Sequence, residues 1–361
     1  MVVCTWDKRA ALEENTTRLT SEVLTRFAVE VLVAHGVPEK DAKIVADCLI
    51  LANLSGVDTH GIVRLPHYVR RLTNGTIKAA PKITFDQRAP SVGYLDGDDG
   101  LGHVVSDRAV SKVVELASVT GVGAVSVGNS SHFGMCAYYA LRMAEAGLIS
   151  ICVTPTCRFL IPFGGKKPFF GTNPICFGFP TDGIPVVLDM ATTSVPYGKV
   201  EVARVEGKPI PDDWARDEEG NKTTDPNRVV GLYPIAGPKG SGLAMIIDIL
   251  GSVLAGMPFG PHVTQMYKEM DKPRKLGHLF VGLDVERFMP VTTFKANLGS
   301  MLDELQAQEP AQGFERVMYP GQLEGERRKH RREYGVPLDT GVFNELVELG
   351  ETVGVNLMSR N

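Results

Sequence analysis

Two short segments place a histidine among groups that could help it do chemistry. In "GVDTHGIVRLPHY" (residues 56–68), His60 stands four residues before Arg64, with Asp58 and Thr59 just ahead. In "GNSSHFG" (residues 128–134), His132 follows Asn129, Ser130 and Ser131. Imidazole titrates near neutrality and can take or give a proton at ordinary pH. The planar guanidinium fork accepts a carboxylate through paired hydrogen bonds. Together these types suit proton transfer on a small carboxylate. A lone histidine is usually structural, so His67, His103 and His262 are read as surface or helix residues.

The elements around them follow from the hydrophobic spacing. Pro66 disfavours helix before it and suits a helix start, so residues 56–65 read as a loop and "LPHYVRRLTNG" as a helix ended by Gly75. Apolar residues at helical spacing predict helices over 20–35 and 38–54, and the first 18 residues read as a loosely attached arm. From about Ile83 the pattern changes. "SVGYLDGDDG" and "GVGAVSVGNS" read as strands around a helix at 104–119, followed by a helix at 135–146. "LISICVT", "PICFGFP", "PVVLDMA" and "GHLFVGLDV" read as further strands, with helices in "KGSGLAMIIDILGSVLAG" and "TTFKANLGSMLDELQAQ". This alternation argues for an α/β domain over 81–309, with a helical part from 19–80 joined by the 310–361 tail. The basic run "GERRKHRREYG" reads as a solvated helix face.

Composition narrows the function classes. The 361 residues carry 38 Lys and Arg against 42 Asp and Glu, a net charge of −4, which argues against a nucleic-acid partner. Six cysteines without a CxxC pair suggest reduced thiols in a cytoplasmic protein, and the start of the chain lacks a signal peptide's apolar stretch. "GLAMIIDILGSVLAGM" is too short to span a membrane, carries Asp248 in its middle and reads as a buried helix. No P-loop, HExxH or Gly-x-Ser-x-Gly motif is present, and no His/Cys pairing suggests a metal. Gly100-x-Gly102 lies between strand and helix, but Val105 occupies the third glycine position of a dinucleotide-binding turn.

The remaining polar clusters are "DTHGIVRLP", "GNSSHFGMCAYY", "PFGGKKPFFGTNPICFGFP", "VVLDMATTSVPYGKV", "AGPKGSGLAMIIDIL" and "GFERVMYPGQ". In this order, from about Leu19 to Leu357, the series resembles the second type of malate/L-lactate dehydrogenase. That family includes ureidoglycolate and sulfolactate dehydrogenases and cyclic-imine reductases. "IPDDWARDEEGNKTTDP" and "GFERVMYPGQ" are similar to the ureidoglycolate branch, whereas "GNSSHFG" is the malate/lactate version.

The resemblance implies a non-Rossmann, mixed-sheet NAD(P)-binding fold, which accounts for the incomplete glycine motif. It implies hydride transfer between NAD, with NADP as the alternative, and a small 2-hydroxy acid; an imine reductase is the rival on the same scaffold, and a non-catalytic binder the distant one. It implies an acid/base role for one histidine, here His132 as proton acceptor with His60 beside the substrate. Arg64, Thr59 and Asn129 would hold the substrate, and Thr172 and Asn173 would lie near the nicotinamide amide. Thr59 replaces the family's usual serine. Cofactor contacts carry over to Thr156, to Asp189, Met190 and Ala191, to Lys239 and Gly240 at a helix start, and to Gly321, Gln322 and Leu323. Family members are homodimers, and the helix at "TTFKANLGSMLDELQAQ" offers an apolar stripe for a second copy.

Overall fold

The computed structural model describes residues 16–359. Strand β1 (Thr16–Leu19) precedes α1 (Ser21–Ala34) and α2 (Glu39–Leu54). The Thr20 hydroxyl caps α1 by accepting from the Val23 amide, and the Leu24, Phe27, Val31 row is buried. The expected arm thus begins as a strand from Thr16; residues 1–15, with Cys4, lie outside the described part.

Residues 58–60 and 62–64 each form a single 3₁₀ turn, and α3 (Leu65–Thr73) follows directly. Leu65 is already helical (φ −54°, ψ −47°), so the helix starts one residue before Pro66, against the expectation drawn from the proline. The proline's missing amide costs nothing in a first turn, where amides have no intrahelical partner.

Next come β2 (Thr84–Ala89), β3 (Val92–Asp96), α4 (Gly102–Thr120), β4 (Val122–Ser130), α5 (Cys136–Glu145), β5 (Leu148–Val153), β6 (Ile175–Phe179) and β7 (Val186–Met190). A small excursion holds α6 (Tyr197–Val205), β8 (Ala215–Arg216) and β9 (Gly231–Leu232). Helix α7 (Pro238–Asp248) runs into a π turn at Ile249–Val253, and β10 (Leu276–Asp284) and α8 (Val291–Gln306) follow. Then α9 (Gln322–Tyr334), β11 (Val336–Asp339) and α10 (Thr340–Glu351) close the chain.

Seven strands form one sheet in the order β2-β3-β4-β10-β5-β6-β7, and only β3 with β4 is parallel. A Rossmann sheet is parallel throughout. This one is mixed, as the fold reading expected. Helices α4 and α5 pack on the sheet over a core containing Val113, Val125, Tyr139, Cys152 and Phe280. A second core joins α1, α2 and α3 to β1, β11 and α10, because β1 pairs with β11 antiparallel from Thr16 opposite Asp339.

Two expectations about surfaces need correction. The "buried" helix α7 exposes Met245 and Ile246, and its π turn exposes Ile249 and Val253; only the opposite side, with Ala244 and Ile247, is buried. His67 and His103 are helix residues, on α3 and α4 as expected, and both are buried, 4% and 0% exposed. The basic run forms α9, and Arg331 pairs with Asp58 while Arg328 Nη1 donates to Ser55 Oγ at 3.3 Å. That run therefore braces the loop carrying His60 rather than merely facing solvent.

Candidate active site

The loop before α3 is wound around one asparagine. Asn53, 2% exposed at the end of α2, donates to Asp58 Oδ1 at 2.8 Å and accepts from the Ile62 amide at 2.8 Å. Gly61 must be glycine here, since a Cβ would lie 2.3 Å from Asn53 Oδ1. Arg331 closes the other side, reaching Asp58 Oδ1 at 2.7 Å and Oδ2 at 3.0 Å. These contacts fix His60 and Arg64 on one short stretch.

Strand β4 delivers the second histidine to the same place. The His60 and His132 rings stack with centroids 5.8 Å apart and planes 25° apart. His60 Nδ1 is 3.0 Å from Thr59 Oγ1. His132 Nδ1 is 2.7 Å from Tyr68 Oη, and the Gly134 amide points at the same nitrogen from 3.3 Å. Among the described residues no hydrogen bond reaches Nε2 of His132. Burial, followed by the Arg64 charge, pushes His60 down to about 4. His132 is held well below its usual value by burial first, then by the charges of His60 and Arg64. Both rings are therefore neutral at pH 7 and able to accept a proton.

Arg64 completes the cluster. Its Nε donates to Thr59 O at 2.6 Å and its Nη1 donates to Tyr267 Oη, with the guanidinium 5.6 Å from the centre of that ring. Tyr267 belongs to the segment between α7 and β10. Arg71, 1% exposed on α3, grips that segment through the carbonyls of Met266 (2.8 Å) and Lys272 (3.0 Å).

Other expected residues gather elsewhere. Thr156 and Thr172 share hydroxyl contacts at 3.2 Å, and the Thr172 amide donates to Thr156 Oγ1 at 2.8 Å. Asn173 joins them, but its side chain is used within the chain. Its Oδ1 accepts from the Thr156 amide at 3.0 Å and its Nδ2 donates to Ala244 O at 2.9 Å. Its φ of +33° lies in the region asparagine tolerates, so it serves as a clamp between the Thr156 loop and α7. Asn129 Nδ2 donates to Asp96 Oδ2 at 3.0 Å, and among the described residues it has no hydrogen bond to either histidine. Ser131 Oγ accepts from the Gly102 amide at 2.8 Å, at the start of α4. That contact also fills the Gly100-x-Gly102 turn, where a Cβ on Gly102 would sit 2.3 Å from Ser131 O.

Asp189 accepts from the Ala137 amide at 2.8 Å, in the first turn of α5, and Met190 and Ala191 follow it off β7. Burial of its carboxyl pushes it up to about 6. Lys239 is exposed in the first turn of α7, which has no side-chain cap. Gly240 is held by packing, because a Cβ would meet Ile235 O at 1.9 Å. The 321–323 stretch docks the tail on the sheet edge. Val187 N donates to Pro320 O at 3.0 Å, Gly321 takes φ +88°, and Gln322 Nε2 bonds Gln306 and Glu326. Leu323 starts α9 beside it. Among the described residues no group of three His, Cys, Asp or Glu could hold a metal, and no helix is long and apolar enough to cross a membrane.

The sequence reading missed Tyr68 and Tyr267. Tyr68 carried a signal: it extends the spacing of four from His60 and Arg64. Tyr267 carried none, being brought in by a distant loop.

The profile of the malate/L-lactate dehydrogenase family matches residues 19–347. The chain belongs to that family. Malate dehydrogenase of Pyrococcus horikoshii is 38% identical over 358 residues, covering 96% of this chain and 99% of that one. The solved structure of that organism's malate dehydrogenase superposes with a TM-score of 0.88, covering 96% and 98% of the two chains at 37% identity. L-sulfolactate dehydrogenase of Methanocaldococcus jannaschii is 38% identical over 334 residues, 92% of this chain and 96% of its own. Ureidoglycolate dehydrogenase (NAD(+)) of Escherichia coli K12 is 34% identical over 331 residues, 91% and 95%. Membership of the malate/L-lactate dehydrogenase family agrees with the mixed sheet and with the absence of a Rossmann glycine turn.

Proposed function

We propose that this family member moves a hydride between a nicotinamide dinucleotide, with NAD preferred, and a small 2-hydroxy acid or its 2-oxo partner. The observation that carries this reading is the stacked His60–His132 pair with Arg64 on the same loop. A 2-hydroxy acid offers a hydroxyl proton and a carboxylate next to the reacting carbon, and the cluster has a group for each.

In the tautomer that carries its proton on Nδ1, His132 donates to Tyr68 Oη, forgoes the long 3.3 Å contact with the Gly134 amide, and presents the Nε2 lone pair toward the substrate hydroxyl to take its proton. His60, steadied by Thr59, lies against the same substrate. Arg64 exchanges the Tyr267 hydroxyl for the carboxylate, which completes the guanidinium's paired hydrogen bonds. The bound dinucleotide supplies the hydride acceptor. The uncapped start of α7, with Lys239 exposed, fits its pyrophosphate, since free amides and a cation meet there. The Thr156–Thr172 pair fits the nicotinamide end. Asp189, Met190, Ala191, Gly321, Gln322 and Leu323 remain assigned by resemblance, with Asp189 keeping one oxygen beyond its bond to Ala137.

Two further features belong to this reading. A second copy of the chain covers the apolar face of α7, giving a homodimer. The five described cysteines are free and buried, which suits a cytoplasmic, reducing setting. The test is a panel of malate, lactate, 3-sulfolactate and ureidoglycolate with NAD and with NADP, followed by absorbance of the reduced nicotinamide. Turnover of at least one acid is expected, and no turnover with either cofactor overturns the proposal.

A further inference from the structure

His103 sits in the first turn of α4 and is 0% exposed, and neither of its ring nitrogens has a hydrogen-bond partner among the described residues. Burial pushes it down to about 3, so at neutral pH the ring carries one N–H and one lone pair. A buried polar group without a partner is costly, and leucine or phenylalanine there would avoid that cost. What the ring touches gives it a use. Its plane stands at 87° to that of Tyr68 with centroids 4.8 Å apart, an arrangement in which the electropositive edge of one ring meets the electronegative face of the other. On another side lies Gly134, where a Cβ would fall 3.0 Å from His103 Nε2 and 2.9 Å from Cys48 Sγ. Tyr68 and Gly134 are also the two residues that reach Nδ1 of His132, the hydroxyl from 2.7 Å and the amide from 3.3 Å. His103 therefore packs against both partners of the proposed base.

Those two partners ask for opposite things. A backbone amide can only donate, so a close Gly134 N–H would take the Nδ1 lone pair and leave the ring's proton on Nε2. The Tyr68 hydroxyl can accept, which keeps the proton on Nδ1 and the lone pair on Nε2. We propose that His103 is a positioning residue that sets the tautomer of His132: edge to face with Tyr68 and packed against Gly134, it holds the hydroxyl near and the amide far. This rests on the function proposed above and deepens it, by naming the residue that keeps His132 ready to accept a proton. His103 acts through Tyr68 and Gly134 and not on the reacting atoms. Without its ring Tyr68 can tilt and the Gly134 amide can close in, so that both tautomers of His132 are populated.

The experiment compares H103L, which removes the ring, with H103F, which restores an aromatic edge against Tyr68. H103L is expected to lower kcat about tenfold, with the KM for the acid and the affinity for NADH nearly unchanged, because a small misplacement of a reacting group is costly in rate. H103F is expected to recover kcat to within about threefold of wild type. Equal losses in the two variants, or a kcat for H103L within about twofold of wild type, overturn the inference. A merely structural role would not move the second readout, a nitrogen NMR spectrum of protein labelled at histidine, with His132 assigned by its absence in H132Q. Wild-type His132 is expected to carry its proton on Nδ1, and H103L to show a mixture of tautomers. A wild type protonated on Nε2, or an H103L spectrum in which His132 is unchanged, overturns the inference. Should H103L not fold, H103M, whose flexible side chain fills the same space, is read in its place. The spectrum needs no turnover, so the two readings can fail separately. If the tautomer mixes in H103L but no acid is oxidised, the inference stands and the proposed function falls. If an acid is oxidised and His132 ignores H103L, the function stands and the inference falls.

Discussion

Tyr68 and His132 are joined twice, by a 2.7 Å contact from Oη to Nδ1 and by rings whose centroids lie 6.0 Å apart at 28°. The tyrosine thus fixes both which nitrogen of His132 is engaged and how the ring is turned. The hydroxyl itself stays protonated, since burial pushes its acidity far out of the physiological range. It positions the base and does not replace it.

His132→Gln is therefore expected to lower kcat by about 10²–10⁴, the usual contribution of a positioned general base. NADH affinity, read by fluorescence titration, should stay close to wild type. Tyr68→Phe should lower kcat about tenfold, with the KM for the acid nearly unchanged, because the ring remains but its orientation is less well held. A His60→Gln variant that loses more turnover than His132→Gln would exchange the two roles.

Stability should fall in mild acid. Burial pushes His67, His103 and His278 down to about 3, and these rings are 4%, 0% and 0% exposed. Their folded values lie below the ordinary 6.5, so between about 6.5 and 3 the unfolded chain binds more protons and stability rises with pH. Each such ring costs on the order of 2 kcal/mol by pH 5 relative to pH 7.5. Urea midpoints at the two pH values check this, and a midpoint independent of pH would contradict it. His278→Gln should flatten the dependence. Its Nδ1 and Nε2 meet Thr154 at 2.8 Å and Ser130 at 2.9 Å, partners an amide can also serve.

What the sequence made legible was set by local rules. The hydrophobic spacing marks α1, α2, α5 and most of the central strands, and the proline and glycine of "LPHYVRRLTNG" bracket α3 to within one or two residues. His60, Arg64 and His132 stood out because their types and spacing have few other uses. Contacts made at long range were not legible. Strand β1 pairs with a strand some 320 residues away, and its four residues carry no pattern of their own. Tyr267 enters through a loop held by Arg71, and nothing near it in the chain points to α3. Asn173 was read as a cofactor contact because Thr-Asn-Pro matches the family motif; the clamp to Ala244 becomes visible only once α7 is packed against it. The exposed side of α7 was hidden for a related reason. A helix apolar on nearly all sides looks buried until its neighbours are counted.

The bidentate contact between Arg331 and Asp58 links the tail to the loop of His60 and Arg64. Arg331 is the more buried partner, at 16% side-chain exposure against 46% for Asp58, so the pair itself stabilises the fold by only about 1 kcal/mol. Its effect on the site should be larger than its effect on folding. Arg331→Met is expected to reduce kcat/KM about tenfold while moving the thermal midpoint by only a few degrees. A large fall in midpoint with kcat/KM unchanged would show that the contact serves the fold alone.

The last prediction concerns α7. Met245, Ile246, Ile249, Val253 and Leu254 are 48%, 50%, 46%, 55% and 59% exposed, and their spacing puts them along one side of the helix and its π turn. The apolar residues expected to serve this purpose, on α8, are fewer: Met301 is 58% exposed and Leu305 37%, whereas Leu302 is buried in the chain itself. A continuous apolar stripe on a soluble chain marks a surface that another protein covers. A second copy is the simplest occupant, because a two-fold axis places the same stripe on both sides of the contact. Light scattering at low micromolar concentration should give twice the chain mass of 39.1 kDa. The double variant Ile249→Glu, Val253→Glu puts two carboxylates into that contact and should give a folded monomer. Since the uncapped start of α7 is also the proposed pyrophosphate site, the monomer should bind NADH less tightly as well. A wild type that is monomeric and fully active would remove the second copy, and a variant that stays dimeric would move the contact to another face.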